Sequence, residues 1–262
     1  RSTLFPYTTL FRSADITGED RVLEIGPGPG ALTERLCEAA KAVMAVEIDP
    51  DMIELLRMRL KAREELTIIR GDILEMDPTV IEDFAGDRRL IVAANLPYYI
   101  TTPIIMYLLE GPLWERLSRI IIMVQREVAD RLAASCGSRD YGAITVAVQY
   151  RCSVDIVTEV SRDAFVPAPN VDSAVVALTK REAPLVDISD EKWFFDVVKA
   201  AFAVRRKTLV NALAQAGYES RDKSRLSKIT AAAGLGERVR GEELSIEQFA
   251  ALAELLHRDE KV

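Results

Sequence analysis

Residues 22–25 are a short apolar run ending in a glycine-rich turn, and residues 31–40 follow with Leu32, Leu36 and Ala39 at helical spacing. That order predicts strand, loop, helix. Residues 42–46 repeat the apolar run and close on Glu47, and residues 51–61, after Pro50, set Ile53, Leu56 and Leu60 on one helical face. Residues 66–70 and 90–94 read as two more strands, 102–109 as a helix capped by Thr101 or Thr102, 120–124 as a central strand and 125–134 as a helix. Strands this short and this uniformly apolar are covered on both faces, as in parallel sheets. The alternation predicts a doubly wound α/β sheet, whose ligands bind at the carboxyl ends of its strands. Beyond Gly142, a helical stretch to residue 150 precedes two strand-like segments, 153–160 and 173–179, joined by the proline-rich loop 165–171. These predict an antiparallel addition to the sheet. From about residue 189 the pattern turns wholly helical, over 193–203, 208–216, 224–233 and 245–256, which predicts a large domain over 14–182 and a small all-helical one over 183–262.

A chain of 262 residues, 49% hydrophobic, can bury a full core. No uninterrupted apolar run approaches the roughly 18 residues a bilayer span needs, so no membrane partner is expected. Cys37, Cys136 and Cys152 lie far apart without CxxC spacing, which points away from disulfides and metal and toward a reducing cytoplasm. The single histidine, His257, reads as a solvated surface residue and removes mechanisms that need an imidazole base. A net charge of −7 seems to exclude nucleic acid until it is divided along the chain. Residues 1–182 carry 21 Lys/Arg against 28 Asp/Glu, residues 183–262 carry 13 of each, and the window 199–228 holds eight Lys/Arg against only Glu219 and Asp222. A local basic face is expected there. Residues 1–13 start without Met, show no periodicity linking them to the first strand, and read as a non-native leader of vector or adapter origin rather than a secretory or transit signal.

The stretch Glu24-Ile25-Gly26-Pro27-Gly28-Pro29-Gly30 lets backbone approach a ligand without Cβ obstruction. Its spacing is GxGxG, not the dinucleotide GxGxxG, and its prolines remove amide donors that a pyrophosphate would want. It suits a nucleoside with a zwitterionic amino-acid tail; alone, it also reads as an ordinary tight turn. Glu47 ends the second strand, where a carboxylate can accept both ribose hydroxyls, and Asp72, after the third, is placed for an adenine amine. Ile48 and Ile73 stand beside these acids and complete a candidate cofactor set of Glu24, Gly26, Gly28, Glu47, Ile48, Asp72, Ile73 and Asn95.

Asn95-Leu96-Pro97-Tyr98, after the fourth strand, is the most specific catalytic signal. An adenine amine is a poor nucleophile because its lone pair delocalises into the ring. A site that methylates it must accept its protons and favour a pyramidal nitrogen. The Asn95 amide oxygen and the Leu96 carbonyl can do this, Pro97 stiffens the turn, and Tyr98 offers a face for a flipped-out base. Phe165 either closes on that base from the other side or anchors the core. Arg205, Arg206 and Lys207 form a run of cations at a helix boundary suited to phosphate contact.

These residues resemble the ribosomal small-subunit adenine dimethyltransferases of the KsgA type, over nearly the whole chain from residue 14. The resemblance rests on VLEIGPGPGALT at 22–33, VEIDP at 46–50, GDIL at 71–74, NLPYYIT at 95–101, FVPAPNVDSAVV at 165–176, RRKTLVNAL at 205–213 and ELSIEQFAAL at 243–252. It implies a Rossmann-like catalytic domain with a helical, RNA-binding C-terminal domain, S-adenosylmethionine as cofactor, no metal, and N6,N6-dimethylation of two adjacent adenines in 16S rRNA during small-subunit biogenesis by a cytoplasmic monomer. The family's Gln-Asn-Phe-Leu segment before the first strand is absent, which leads to the expectation that this chain folds but binds cofactor weakly. A 23S rRNA adenine methyltransferase, a DNA adenine methyltransferase and a non-catalytic assembly factor remain alternatives.

Overall fold

A computed structural model describes residues 5–165, 167–217 and 223–260. Residues 1–4 of the leader, Val166 of the proline-rich loop, and Glu219 and Asp222 of the basic window lie outside them. The described chain begins with helix α1 (Phe5–Ser13) and continues β1 (Arg21–Ile25), α2 (Ala31–Ala39), β2 (Ala42–Glu47), α3 (Pro50–Arg59), β3 (Leu66–Arg70), α4 (Pro78–Ala85), β4 (Leu90–Asn95), α5 (Thr101–Glu110), β5 (Leu117–Gln125) and α6 (Arg126–Leu132). Then come α7 (Ala143–Arg151), β6 (Cys152–Val160), β7 (Ser173–Lys180), α8 (Glu191–Phe202), α9 (Leu209–Gln215), α10 (Lys223–Ala232) and α11 (Ile246–Glu260). Among the described residues, no helix is long and apolar enough to cross a membrane.

Seven strands form one sheet in the order β3-β2-β1-β4-β5-β7-β6. The first five pair in parallel, and β7 runs antiparallel to both β5 and β6. Val22, Leu23, Ile91, Val92, Ile121 and Ile122 are fully buried, as helices on both faces of the sheet require. Edge strand β6 instead alternates, with exposed Val157 beside a register shift between Ile156 and Thr158. The chain moves outward from β1 through β2 to β3, then returns to place β4 on the other side of β1. That reversal opens the crevice in which doubly wound sheets hold ligands.

Two elements correct the sequence reading. Helix α4 was missed although Asp77 caps it through the Thr79 amide and Pro78 opens it. More consequentially, residues 5–13 are helical and carry a periodicity that runs on into Ala14. Tyr7, Leu10, Phe11 and Ala14 fall at i, i+3, i+4 and i+7, and they pack on Val22, Leu36, Val43 and Ile91, with Leu10 and Ala14 fully buried.

The chain divides into two compact units, Arg1–Ala129 with Cys152–Lys180, and Asp130–Arg151 with Arg181–Val262. The second therefore recruits α7, ahead of the single boundary read near residue 182. The reason lies in α7's apolar face: the Tyr150 ring stands 5.5 Å from both Phe194 and Phe195 of α8. His257, read as a solvated residue, sets its ring edge-on to Trp193 at 5.5 Å.

Candidate active site

The glycine loop leaves β1 and enters α2 within five residues. Gly26, Gly28 and Gly30 all have left-handed backbone, with φ of +67°, +52° and +82°, alternating with prolines whose φ is fixed. Gly26 donates its amide to Val46 at 2.9 Å, and a Cβ on it would stand only 3.8 Å from Pro97 Cδ. The loop after β1 and the turn after β4 thus lie side by side at the ends of neighbouring strands, with room for little more than one carbon between Gly26 and Pro97. At Gly30 a Cβ would run into Leu56 of α3, so glycine there lets α2 start against its neighbour.

Glu47, 8% exposed, is held by three backbone amides. Its Oε1 accepts from Ile48 at 2.8 Å and Asp49 at 3.0 Å, and its Oε2 from Gly28 at 3.1 Å. A carboxylate has about four lone-pair sites, so the placement leaves one on Oε2. Both ribose hydroxyls could be accepted only by displacing an amide. Asp72 Oδ1 accepts from the Leu74 amide at 2.9 Å. Ile48 is 58% exposed and forms an uncovered apolar step beside Glu47, whereas Ile73 is buried in the core.

Glu24 is fully buried, and its Oε2 has no hydrogen-bond partner among the described residues. Burial pushes its carboxyl up to about 8; the Thr33 side chain opposes that shift and the Glu47 charge reinforces it. A buried acid with one oxygen unpartnered among the described residues is a polar group whose hydrogen bonding the chain itself leaves incomplete.

On the other side, Leu96 extends β4 by donating its amide to Met123 at 3.1 Å. The Pro97 carbonyl accepts from the Ile100 amide at 3.2 Å and the buried Thr101 hydroxyl at 3.0 Å. Those bonds fix a 3₁₀ turn, Tyr98–Ile100, ahead of α5. The 95–98 turn on one side and Phe165, Pro167 and Pro169 on the other line an open cavity of about 260 Å³. Phe165 also packs on the core beneath, so the same side chain anchors the core and lines the cavity.

Two neighbours escaped the sequence reading. Ser173, fully buried at the start of β7, shares a 2.7 Å hydrogen bond with the Tyr98 hydroxyl. Tyr7, in the segment set aside as foreign, lies near the Asn95 side chain; burial raises its pKa, the neighbouring Asn95 side chain lowers it, and nearby Glu24 and Tyr98 raise it. The periodicity of 7–14 could have flagged the second, but no local signal marks the first.

The three cations differ. Arg205 pairs with Glu242 at 3.1 Å and donates to the carbonyls of Arg139 and Tyr141. Its charge is offset and its fork occupied within its own unit. Lys207 bonds Gln215 at 3.1 Å, while Arg206 is exposed and makes no ion pair among the described residues.

The ribosomal RNA adenine dimethylase family model matches residues 7–258. The chain belongs to this family. It is 44% identical over 251 residues to ribosomal RNA small subunit methyltransferase A of Lactococcus lactis, covering 95% of this chain and 84% of that one. Among solved structures, a dimethyladenosine transferase from Plasmodium falciparum superposes with a TM-score of 0.80 at 25% identity, over 98% of this chain and 96% of its own. The 23S rRNA methyltransferase ErmE superposes at 0.70 and 25% identity, over 97% of each chain. The dimethylase fold thus extends through both units, and the family match includes Tyr7.

Proposed function

We propose that this chain dimethylates adenine N6 in the RNA of the small ribosomal subunit, drawing methyl groups from S-adenosylmethionine. The observation that carries the reading is the placement of the glycine loop beside the Asn95–Tyr98 turn, a turn that also lines the open cavity with Phe165.

The donor set fits this cofactor. The unpartnered Oε2 of Glu24 suits the ammonium of an amino-acid tail, the free site on Glu47 Oε2 a ribose hydroxyl, and exposed Ile48 the face of an adenine ring. When bound, the cofactor supplies an electrophilic methyl group on its sulfonium. Everything else is done by the chain. Tyr98 and Phe165 hold the target base between them, out of its stack. The Asn95 amide oxygen and the Leu96 carbonyl accept hydrogen bonds from the amine, which keeps its lone pair on nitrogen, and the proton lost as each methyl group arrives leaves to water through the open cavity. The Pro97 carbonyl bonds hold the turn, so little reorganisation is needed at reaction. Arg206 and Lys207 contact RNA phosphates.

Labelled methyl transfer to unmethylated small subunits, with 23S RNA and duplex DNA as competing substrates, tests the reading. Label should enter small-subunit RNA as dimethyladenine. Asn95→Ala should lower turnover by about 10²–10³-fold, the scale for removing one positioned polar group from a reacting centre, with subunit binding retained. Near-normal turnover by that variant, or label entering only 23S RNA, would overturn it.

A further inference from the structure

Tyr99 is the most exposed large apolar side chain among the described residues, at 82%. It immediately follows Tyr98 in the 3₁₀ turn, where successive side chains diverge by about 120°. Tyr98 faces the cavity and Tyr99 does not line it. Nor does Tyr99 enter a hydrogen bond, ring pair or cation–π contact among the described residues. Its backbone is nonetheless pinned, since Ile100 and Thr101 both bond the Pro97 carbonyl. It is an exposed aromatic ring on a fixed backbone, with no such contact among the described residues, one residue from the pocket.

The cavity, at about 260 Å³, lies below the roughly 300–1,000 Å³ of sites that enclose drug-sized ligands and has room for a single base between Tyr98 and Phe165. An RNA strand that delivers one base there must leave the next nucleotide outside, deprived of a stacking neighbour. Unstacked bases are recovered by protein aromatics, sequence-tolerantly but most strongly for purines with their larger face. We propose that Tyr99 is the stacking platform for the nucleotide adjoining the target adenine, a second base subsite outside the catalytic pocket. The inference rests on the function proposed above and adds to it a residue that selects the context of the target.

The test compares the wild type with Tyr99→Ala and Tyr99→Trp, using unmethylated small subunits whose rRNA has either a purine or uracil beside the target. Base–aromatic stacking is lost by alanine substitution at about 1–3 kcal/mol per base, so Tyr99→Ala should lower kcat/KM about 5- to 150-fold on purine-flanked RNA. The loss should fall mainly on KM, shrink on uracil-flanked RNA and be rescued by tryptophan, with Tm and cofactor affinity unchanged. Activity within twofold of wild type, or equal losses on both RNAs, would overturn the proposal. A binding readout separates it from the catalytic reading: a short single-stranded RNA with 2-aminopurine beside an adenine should be quenched by the full-length wild type and not by Tyr99→Ala. Quenching that is absent in the wild type or unchanged in the variant counts against Tyr99 alone, whereas absent methyl transfer by the wild type counts against the function.

Discussion

Replacing Ser173 by alanine removes a hydrogen bond to the Tyr98 hydroxyl, behind the pocket's aromatic wall. The substitution deletes Oγ, 2.7 Å from the Tyr98 hydroxyl, at a fully buried position paired with Gln125 of β5 and Val160 of β6. A hydrogen bond of this kind contributes about 0.5–1.5 kcal/mol net. Tyr98 is only half-buried, so water can replace the lost partner in part, and the cost should fall near 1 kcal/mol. For a chain of this size that is about 2–4 °C in Tm. In catalysis the same loss lets the ring rotate away from the base, and kcat/KM should fall about three- to tenfold. The assay is a double-mutant cycle of Ser173→Ala and Tyr98→Phe, read by methyl transfer and by thermal unfolding. Because each substitution removes the same bond, the double variant should be no worse than the poorer single one, with a coupling near 1 kcal/mol. Additive losses would refute the claim that Ser173 acts through Tyr98. A loss of about 10²-fold or more for Tyr98→Phe alone would refute the claim that the ring face, not the hydroxyl, does the work.

Two other outcomes rest on charge. Folded Glu24 keeps its proton to about pH 8 against an ordinary value of 4.5. The folded state therefore holds the extra proton between those limits, and stability of the cofactor-free chain should fall as pH rises through them. Glu24→Gln should flatten that decline in urea titrations, and should also abolish a rise in S-adenosylmethionine affinity toward pH 8 measured by calorimetry; an unchanged slope in the variant would exclude Glu24 as its source. Arg206→Glu should weaken RNA binding and make its salt dependence shallower by roughly one phosphate contact, whereas Arg205→Ala, which frees Glu242 and the carbonyls of Arg139 and Tyr141, should lower Tm; reversed effects in filter-binding and melting experiments would contradict the division between the two arginines.

The sheet was legible because its strands are buried on both faces, and a run such as Leu90–Asn95 has no other stable use in a soluble α/β chain. The strand-end acids were legible for the same reason: each interrupts an apolar run where the topology demands a ligand or a cap. What stayed hidden is pairing at a distance. Tyr98 and Ser173 lie 75 residues apart, and a serine before an apolar run looks like any strand-opening residue. Arg205 and Glu242 are 37 apart, so a run of three cations gave no sign that one was already committed. Glu47 was read from its position alone, and position does not reveal that three amides occupy most of its lone pairs.

The segment 5–13 shows how loosely packing constrains chemistry. The face formed by Val22, Leu36, Val43 and Ile91 needs a cover of apolar volume at helical spacing, and cores accept such cover from many sequences provided size and pattern hold. Tyr7, Leu10, Phe11 and Ala14 meet that demand whatever their composition resembles. The demand fixes that position 7 is partly apolar and leaves its polar end free. A phenol there lies near the Asn95 side chain, the group proposed above to receive the adenine amine. On the function proposed above, an incoming base meets an amide that already has a phenol beside it. The helix that completes the core thus also brings a phenol beside the turn proposed to be catalytic, at a position that core packing constrains only on its apolar side.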